Sequence, residues 1–179
     1  MKTTRMFPAE VARTVARKIV EELGPACDRI EIAGSLRRGK PAVHDLDLVL
    51  LPKTSSEEFS LGGSTPLEEL LGRLVERGSL ASVRGRDKVK CFVATKTGIP
   101  IDLYVARPET WWTLLLIRTG SKEHNIQLAQ RAIELGMKLR ASGDGIEDAH
   151  GNLLSVDAEE EVFRILGLPY LVPKDRTGS

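Results

Sequence analysis

Apolar residues near the start of the chain recur at helical spacing: Ala12, Val15, Ala16, Ile19 and Leu23 mark one face of a helix predicted from Pro8 to Leu23, with Gly24 as its stop. The pattern then shortens. Arg29 to Ala33 carries isoleucine at alternate positions and Asp45 to Leu51 is rich in leucine and valine, so both read as strands separated by Gly34-Ser35. Residues 52–64 are dominated by Pro, Ser, Thr, Glu and Gly and end at Thr65-Pro66-Leu67-Glu68. A threonine cap, proline at the first helical position and glutamate three residues on predict a helix from Pro66 to about Arg77. Segments 88–95 and 99–105 are β-like and flank Lys96-Thr97-Gly98 as a hairpin. No internal repeat is present.

After Val105 the character changes, which makes this the candidate boundary. Arg107-Pro108-Glu109 opens a helical stretch through Ile117 that Gly120 breaks, and Ser121 caps a further helix from Lys122 to Leu135, closed by Gly136. A last helix is predicted over about Asp157 to Leu166, and the tail LPYLVPKDRTGS reads as an extended end. Trp111 and Trp112, with Leu114 and Leu115 behind them, read as core.

Composition adds bounds. The 179 residues, 41% hydrophobic and 28% charged, suit one ordinary soluble domain or two small subdomains. A net charge of +1 gives no global field for a polyanion, so any basic surface is local. Cys27 and Cys91 lie far apart without zinc-type spacing and read as buried thiols in a reducing compartment. No signal-peptide or membrane-span pattern is seen, so the expected location is cytoplasmic, nucleoid-associated included.

The candidate chemistry lies in "GSLRRGKPAVHDLDLVLL", residues 34–51. In a strand Asp45 and Asp47 point to one face with α-carbons roughly 6.5 Å apart. Two such anions repel unless a cation lies between them, and divalent metals with hard oxygen ligands meet that need, in a two-metal arrangement at its fullest. Asp102 in "IPIDLYVA" is the third carboxylate, an acid interrupting an apolar strand. A solvated strand face or a salt bridge to a nearby arginine is the alternative for an isolated Asp-x-Asp. Gly34-Ser35, between a strand and helical residues, can cradle phosphate oxygens with backbone N–H groups and a hydroxyl, and Arg38 adds a planar cation. Arg37 and Lys40 read equally well as solvated. His44 could meet phosphate when protonated, whereas His124 reads as a surface histidine and His150 suggests nothing.

Strand, Gly-Ser, Asp-x-Asp and a distant third Asp together resemble the nucleotidyltransferase superfamily, and residues 34–51 look like its family X DNA polymerases, the group of DNA polymerase beta. "RTGSKEHNIQLAQRAIELGMKL", residues 118–139, resembles that family's nascent-base-pair-binding helix, and "LPYLVPKDR" its carboxy-terminal segment. The resemblance runs from about Phe7 to the end. It implies an α+β fold: a nucleotidyltransferase-type palm of mixed sheet and helices over residues 1–106, then a small, mainly helical nucleotide-binding subdomain over 107–179. It implies a gap-filling repair polymerase with two magnesium ions, manganese being an admissible substitute, held by Asp45, Asp47 and Asp102. Asp102 takes the proton of the primer 3′-hydroxyl in that scheme, and pyrophosphate leaves. Gly34, Ser35, Arg38 and the backbone around His44 would bind the dNTP phosphates, with Gly120 under the sugar, Lys122 against the base and Asn125 at its minor-groove edge. Arg84, Arg86, Lys88 and Lys90 could hold template phosphates of primer-template or gapped DNA, or form a solvated hairpin.

The chain departs from relatives at Ile117 and Arg118, where many carry aromatics that exclude a ribose 2′-hydroxyl, and at Ala129 and Pro100, where relatives carry basic residues. Nothing ahead of Met6 resembles the family's lyase and hairpin-helix modules. Weak, distributive DNA binding by a monomer without lyase activity is therefore expected. Two readings stand beside the polymerase: nucleotidyl transfer to an RNA end or small hydroxylated acceptor, and a non-catalytic DNA-end-binding module.

Overall fold

The structure, a computed structural model, describes residues 5–53, 64–86 and 89–177. It divides into two compact units, one of residues 1–32 and 41–105, the other of residues 33–40 and 106–179. The fold is α+β.

In the first unit β1 (Phe7–Pro8) leads into α1 (Ala9–Leu23), whose buried residues Ala12, Ala16, Ile19 and Leu23 belong to the stripe expected from the sequence, its fifth member Val15 being half-buried. β2 (Cys27–Ile32) follows. The chain then leaves this unit for the short helix α2 (Gly34–Arg37) of the second and returns with β3 (Ala42–Val43), which pairs with β1. Next come β4 (Leu46–Pro52), α3 (Pro66–Glu76), β5 (Leu80–Arg86), β6 (Val89–Ala94) and β7 (Pro100–Val105). α3 begins at the capping box read from Thr65 and Glu68.

Five strands form one mixed sheet in the order β2-β4-β7-β6-β5, with β4 and β7 parallel and the other neighbours antiparallel. Leu46, Leu48, Leu50, Ile101 and Leu103 are wholly buried, so the sheet centre is anchored through alternate positions of β4 and β7. Of the intervening positions Val49 is also wholly buried, whereas Asp47, Asp102 and Tyr104 are half-buried. β5 was not foreseen: Arg84-Gly85 interrupts its alternation, and the register with β6 shifts between Val83 and Arg86, as at a bulge.

The second unit adds α4 (Trp111–Thr119), α5 (Lys122–Glu134), the paired β8 (Lys138–Leu139) and β9 (Ile146–Glu147), and α6 (Glu159–Ile165). Leu116, Ile117, Leu128, Ala132, Leu139, Ile146, Val162, Phe163 and Leu166 make its core, with Trp112 packed against it and Trp111 buried. The tail is not simply extended. Residues 173–175 make a 3-10 turn and Arg176 is wholly buried. Cys27 is buried, and burial pushes its thiol up to about 11, but Cys91 is only half-buried, against the expectation of two buried thiols. Among the described residues no helix is long and apolar enough to cross a membrane.

Candidate active site

In the first unit Asp47 and Asp102 are register partners on the parallel strands β4 and β7. Registered residues of adjacent strands share a face, which puts their backbones roughly 4.8 Å apart with both carboxylates on the side opposite Leu48 and Leu103. All three aspartates are half-buried. β4 starts one residue later than the sequence suggested, so Asp45 occupies the bend just before it. His44 is exposed and its Nδ1 donates to the Arg5 carbonyl at 3.3 Å. Among the described residues no three His, Cys, Asp or Glu side chains are gathered into a ready metal cage. The donor chemistry nonetheless suits a hard divalent cation: three carboxylates, two of them in register.

The second unit holds the Gly34-Ser35 turn. Gly34 opens α2 with φ +61°, and the N–H groups of Arg37 and Arg38 bond back to Ala33 and Gly34. Arg38 Nη1 donates to the Thr119 carbonyl at the end of α4. Gly120 caps that helix at φ +70° and ψ −159°, where a side chain is strained, and a Cβ there would meet Arg38 Nη1 at 3.0 Å. Gly120→Ala should therefore cost about 1–3 kcal/mol of stability, read by thermal unfolding. Unchanged values would show that the arginine does not depend on this close approach.

Around this turn lies an ionic network that the sequence did not reveal. Glu159, at the start of α6 and almost wholly buried, accepts from Arg37 at 2.7 and 2.9 Å and from Arg176 at 3.1 and 3.4 Å. Arg37 also donates to Thr119 Oγ1 at 2.8 Å, so of the readings open for it the simply solvated one does not hold. Arg176 further donates to the Leu171 carbonyl, and its own carbonyl accepts from the Ser121 N–H. Burial alone would raise the Glu159 pKa, but the hydrogen bonds and charges of Arg37 and Arg176 outweigh it and hold the carboxyl below its ordinary value.

His124 corrects another expectation. It is buried, with its ring 5.7 Å from that of Phe163, because residues 124, 128 and 132 form the inward stripe of α5. Burial, then the Arg176 charge, pushes its pKa down to about 4. The unfolded chain thus takes up a proton from about pH 6.5 that the folded one refuses. Stability should fall by about 3 kcal/mol as pH drops from 7 to 4. Glu159 adds loss of the opposite origin: its depressed pKa stabilises the fold above its unfolded value of 4.5, and this is lost as pH falls through the folded one. His124→Phe should flatten the slope between pH 6.5 and 4 in urea unfolding; an unchanged slope would refute the assignment.

Other residues named from the sequence behave variously. Ser121 caps α5 as expected, its Oγ accepting from the His124 N–H, and Lys122 is exposed in the first turn. Asn125 is half-buried and its Nδ2 donates to the Ile117 carbonyl at 2.7 Å. Lys90 pairs with Glu68 at 3.1 Å, a surface ion pair of small worth. Arg84 and Arg86 belong to β5, and Lys88 lies outside the described residues.

Comparison with known proteins bears on the whole. Residues 114–177 match the family model described as DNA polymerase beta thumb. The chain is also 30% identical over 180 residues to the DNA polymerase/3′-5′ exonuclease PolX of Bacillus subtilis, an alignment covering 98% of this chain and 29% of that protein. It therefore spans less than a third of the relative's length. With a thumb match over residues 114–177 and a family X relative aligned along nearly all of it, the chain is similar to the family X DNA polymerases.

Proposed function

We propose that the chain is a template-directed DNA polymerase that fills short gaps, joining a deoxynucleotide to a primer 3′-hydroxyl on gapped or primer-template DNA as a monomer. The observation that supports this most is the in-register pair Asp47 and Asp102 with Asp45 two residues ahead, in a chain similar to this family. Asp45, Asp47 and Asp102 would hold magnesium, whose charge neutralises the phosphates and makes the hydroxyl more acidic. Asp102 accepts the 3′-hydroxyl proton; the oxygen bonds to the α-phosphorus and the bond to the β-phosphate bridging oxygen breaks, releasing pyrophosphate.

Ser35, Arg38, the Gly34 N–H and the backbone around His44 bind the β- and γ-phosphates. Gly120 leaves room for the sugar, and Lys122 lies on the base. Asn125 has one Nδ2 hydrogen committed to Ile117, and its second is the donor that a minor-groove acceptor needs. Arg84, Arg86, Lys88 and Lys90 contribute to the template strand. Labelled deoxynucleotide should be incorporated on primed DNA with equal release of pyrophosphate, and chelation should stop it. Transfer to an RNA end or a small hydroxylated acceptor, with none to DNA, would replace this reading with the broader transferase one.

The sugar gate gives a further expectation. Ile117 packs into the core and Arg118 donates to the Ser142 carbonyl, so neither position supplies an aromatic wall. Ribonucleotides should be inserted at rates within about tenfold to a hundredfold of deoxynucleotides, since the discrimination then rests on small contacts. Rejection by several orders of magnitude would refute it.

A further inference from the structure

We propose that Glu159 and Arg176 are positioning residues of the nucleotide site: without touching substrate, they fix the Gly34–Arg38 turn and the Thr119–Ser121 turn in one arrangement. The proposal rests on the polymerase reading for what the site binds, but its geometry is independent of it. Three successive residues are each tied. Thr119 accepts from Arg37 through its hydroxyl and from Arg38 through its carbonyl, Gly120 lies against Arg38, and the Ser121 N–H donates to the Arg176 carbonyl. Glu159 completes the ring, taking both guanidiniums of Arg37 and Arg176 in paired hydrogen bonds.

Simple stability does not call for such a device. Burying a carboxylate and two guanidiniums carries a desolvation penalty that apolar side chains of the same volume avoid. What the ionic set supplies is direction, because a planar fork meeting a carboxylate fixes both groups. Within the Arg37-Arg38 pair, Arg37 is committed to Glu159 and Thr119, and Arg38 to the Thr119 carbonyl. Phe163 and Tyr170 wall the Arg176 guanidinium, each ring centroid 5.6 Å away, so the tail acts as a strap rather than a loose end.

The test uses the full chain with Glu159→Gln, which keeps shape and loses charge, and Arg176→Lys beside Arg176→Met. Each variant is first shown by thermal unfolding to be folded at the assay temperature. In Glu159→Gln, kcat/KM for the deoxynucleotide should fall about tenfold to a hundredfold through its KM, with the KM for gapped DNA within about twofold. Amide exchange should quicken at Gly120, Ser121 and Arg38 and not through the middle of α5. Arg176→Lys should retain more nucleotide affinity than Arg176→Met. Unchanged nucleotide KM, or exchange that quickens equally everywhere, would overturn the proposal by reducing the network to a stability element. If the unaltered chain transfers no nucleotide, the polymerase reading fails, and affinity for inorganic tripolyphosphate decides instead. Weaker binding with local loosening in Glu159→Gln supports positioning, and unaltered binding overturns it.

Discussion

Alanine at Asp102 is expected to leave a folded chain that transfers nucleotide at least about a thousandfold more slowly than the unaltered one. The fold should survive because β7 is held by its other face: Ile101 and Leu103 are wholly buried, while Asp102 is half-buried and turned the other way. Removing one of two in-register anions also relieves repulsion, so unfolding should shift by no more than about 1 kcal/mol. Single-turnover transfer and urea unfolding on the same sample check both halves. Asp102→Asn, which keeps the shape, should be nearly as slow. Turnover retained in either variant would remove Asp102 from the chemistry.

The second large effect is on stability. Glu159→Ala should lose about 3–5 kcal/mol, because it strands the Arg176 guanidinium, which is wholly buried, and the partly buried Arg37. Thermal or urea unfolding measures this directly. Glu159→Ala combined with Arg176→Met should recover a substantial part, since the cost lies in an unpaired buried charge and not in the missing side chain. Equal losses in the single and double variants would mean that the pair contributes no coupling. This is a harsher change than the glutamine used to probe positioning, and it is expected to blur local and global effects.

These two cases mark what was legible in the sequence. The stripe of α1, the capping box of α3, the turn between β6 and β7 and the Ser121 cap of α5 are local patterns, written within a few residues, and the structure bears them out. The aspartates were found through spacing and resemblance; the register between β4 and β7 required the fold. Glu159 reaches Arg37 across 122 residues, and a long-range ion pair leaves no periodic trace, so a glutamate in an acidic first turn looked unremarkable. The buried Arg176 was missed because a tail containing prolines and charges reads as an extended end. His124 was open to a better reading, since Leu128 and Ala132 continue its face at four-residue steps. β5 escaped because a glycine and two arginines break the alternation that marks a strand.

The central claim is template-directed nucleotidyl transfer, and single-turnover extension of a labelled primer across a one-nucleotide gap tests it most directly, with each of the four deoxynucleotides offered separately in magnesium. Rapid addition of the nucleotide complementary to the template base, and slow addition of the other three, is the predicted result. Addition irrespective of the template base, or no addition with any of the four, would contradict it.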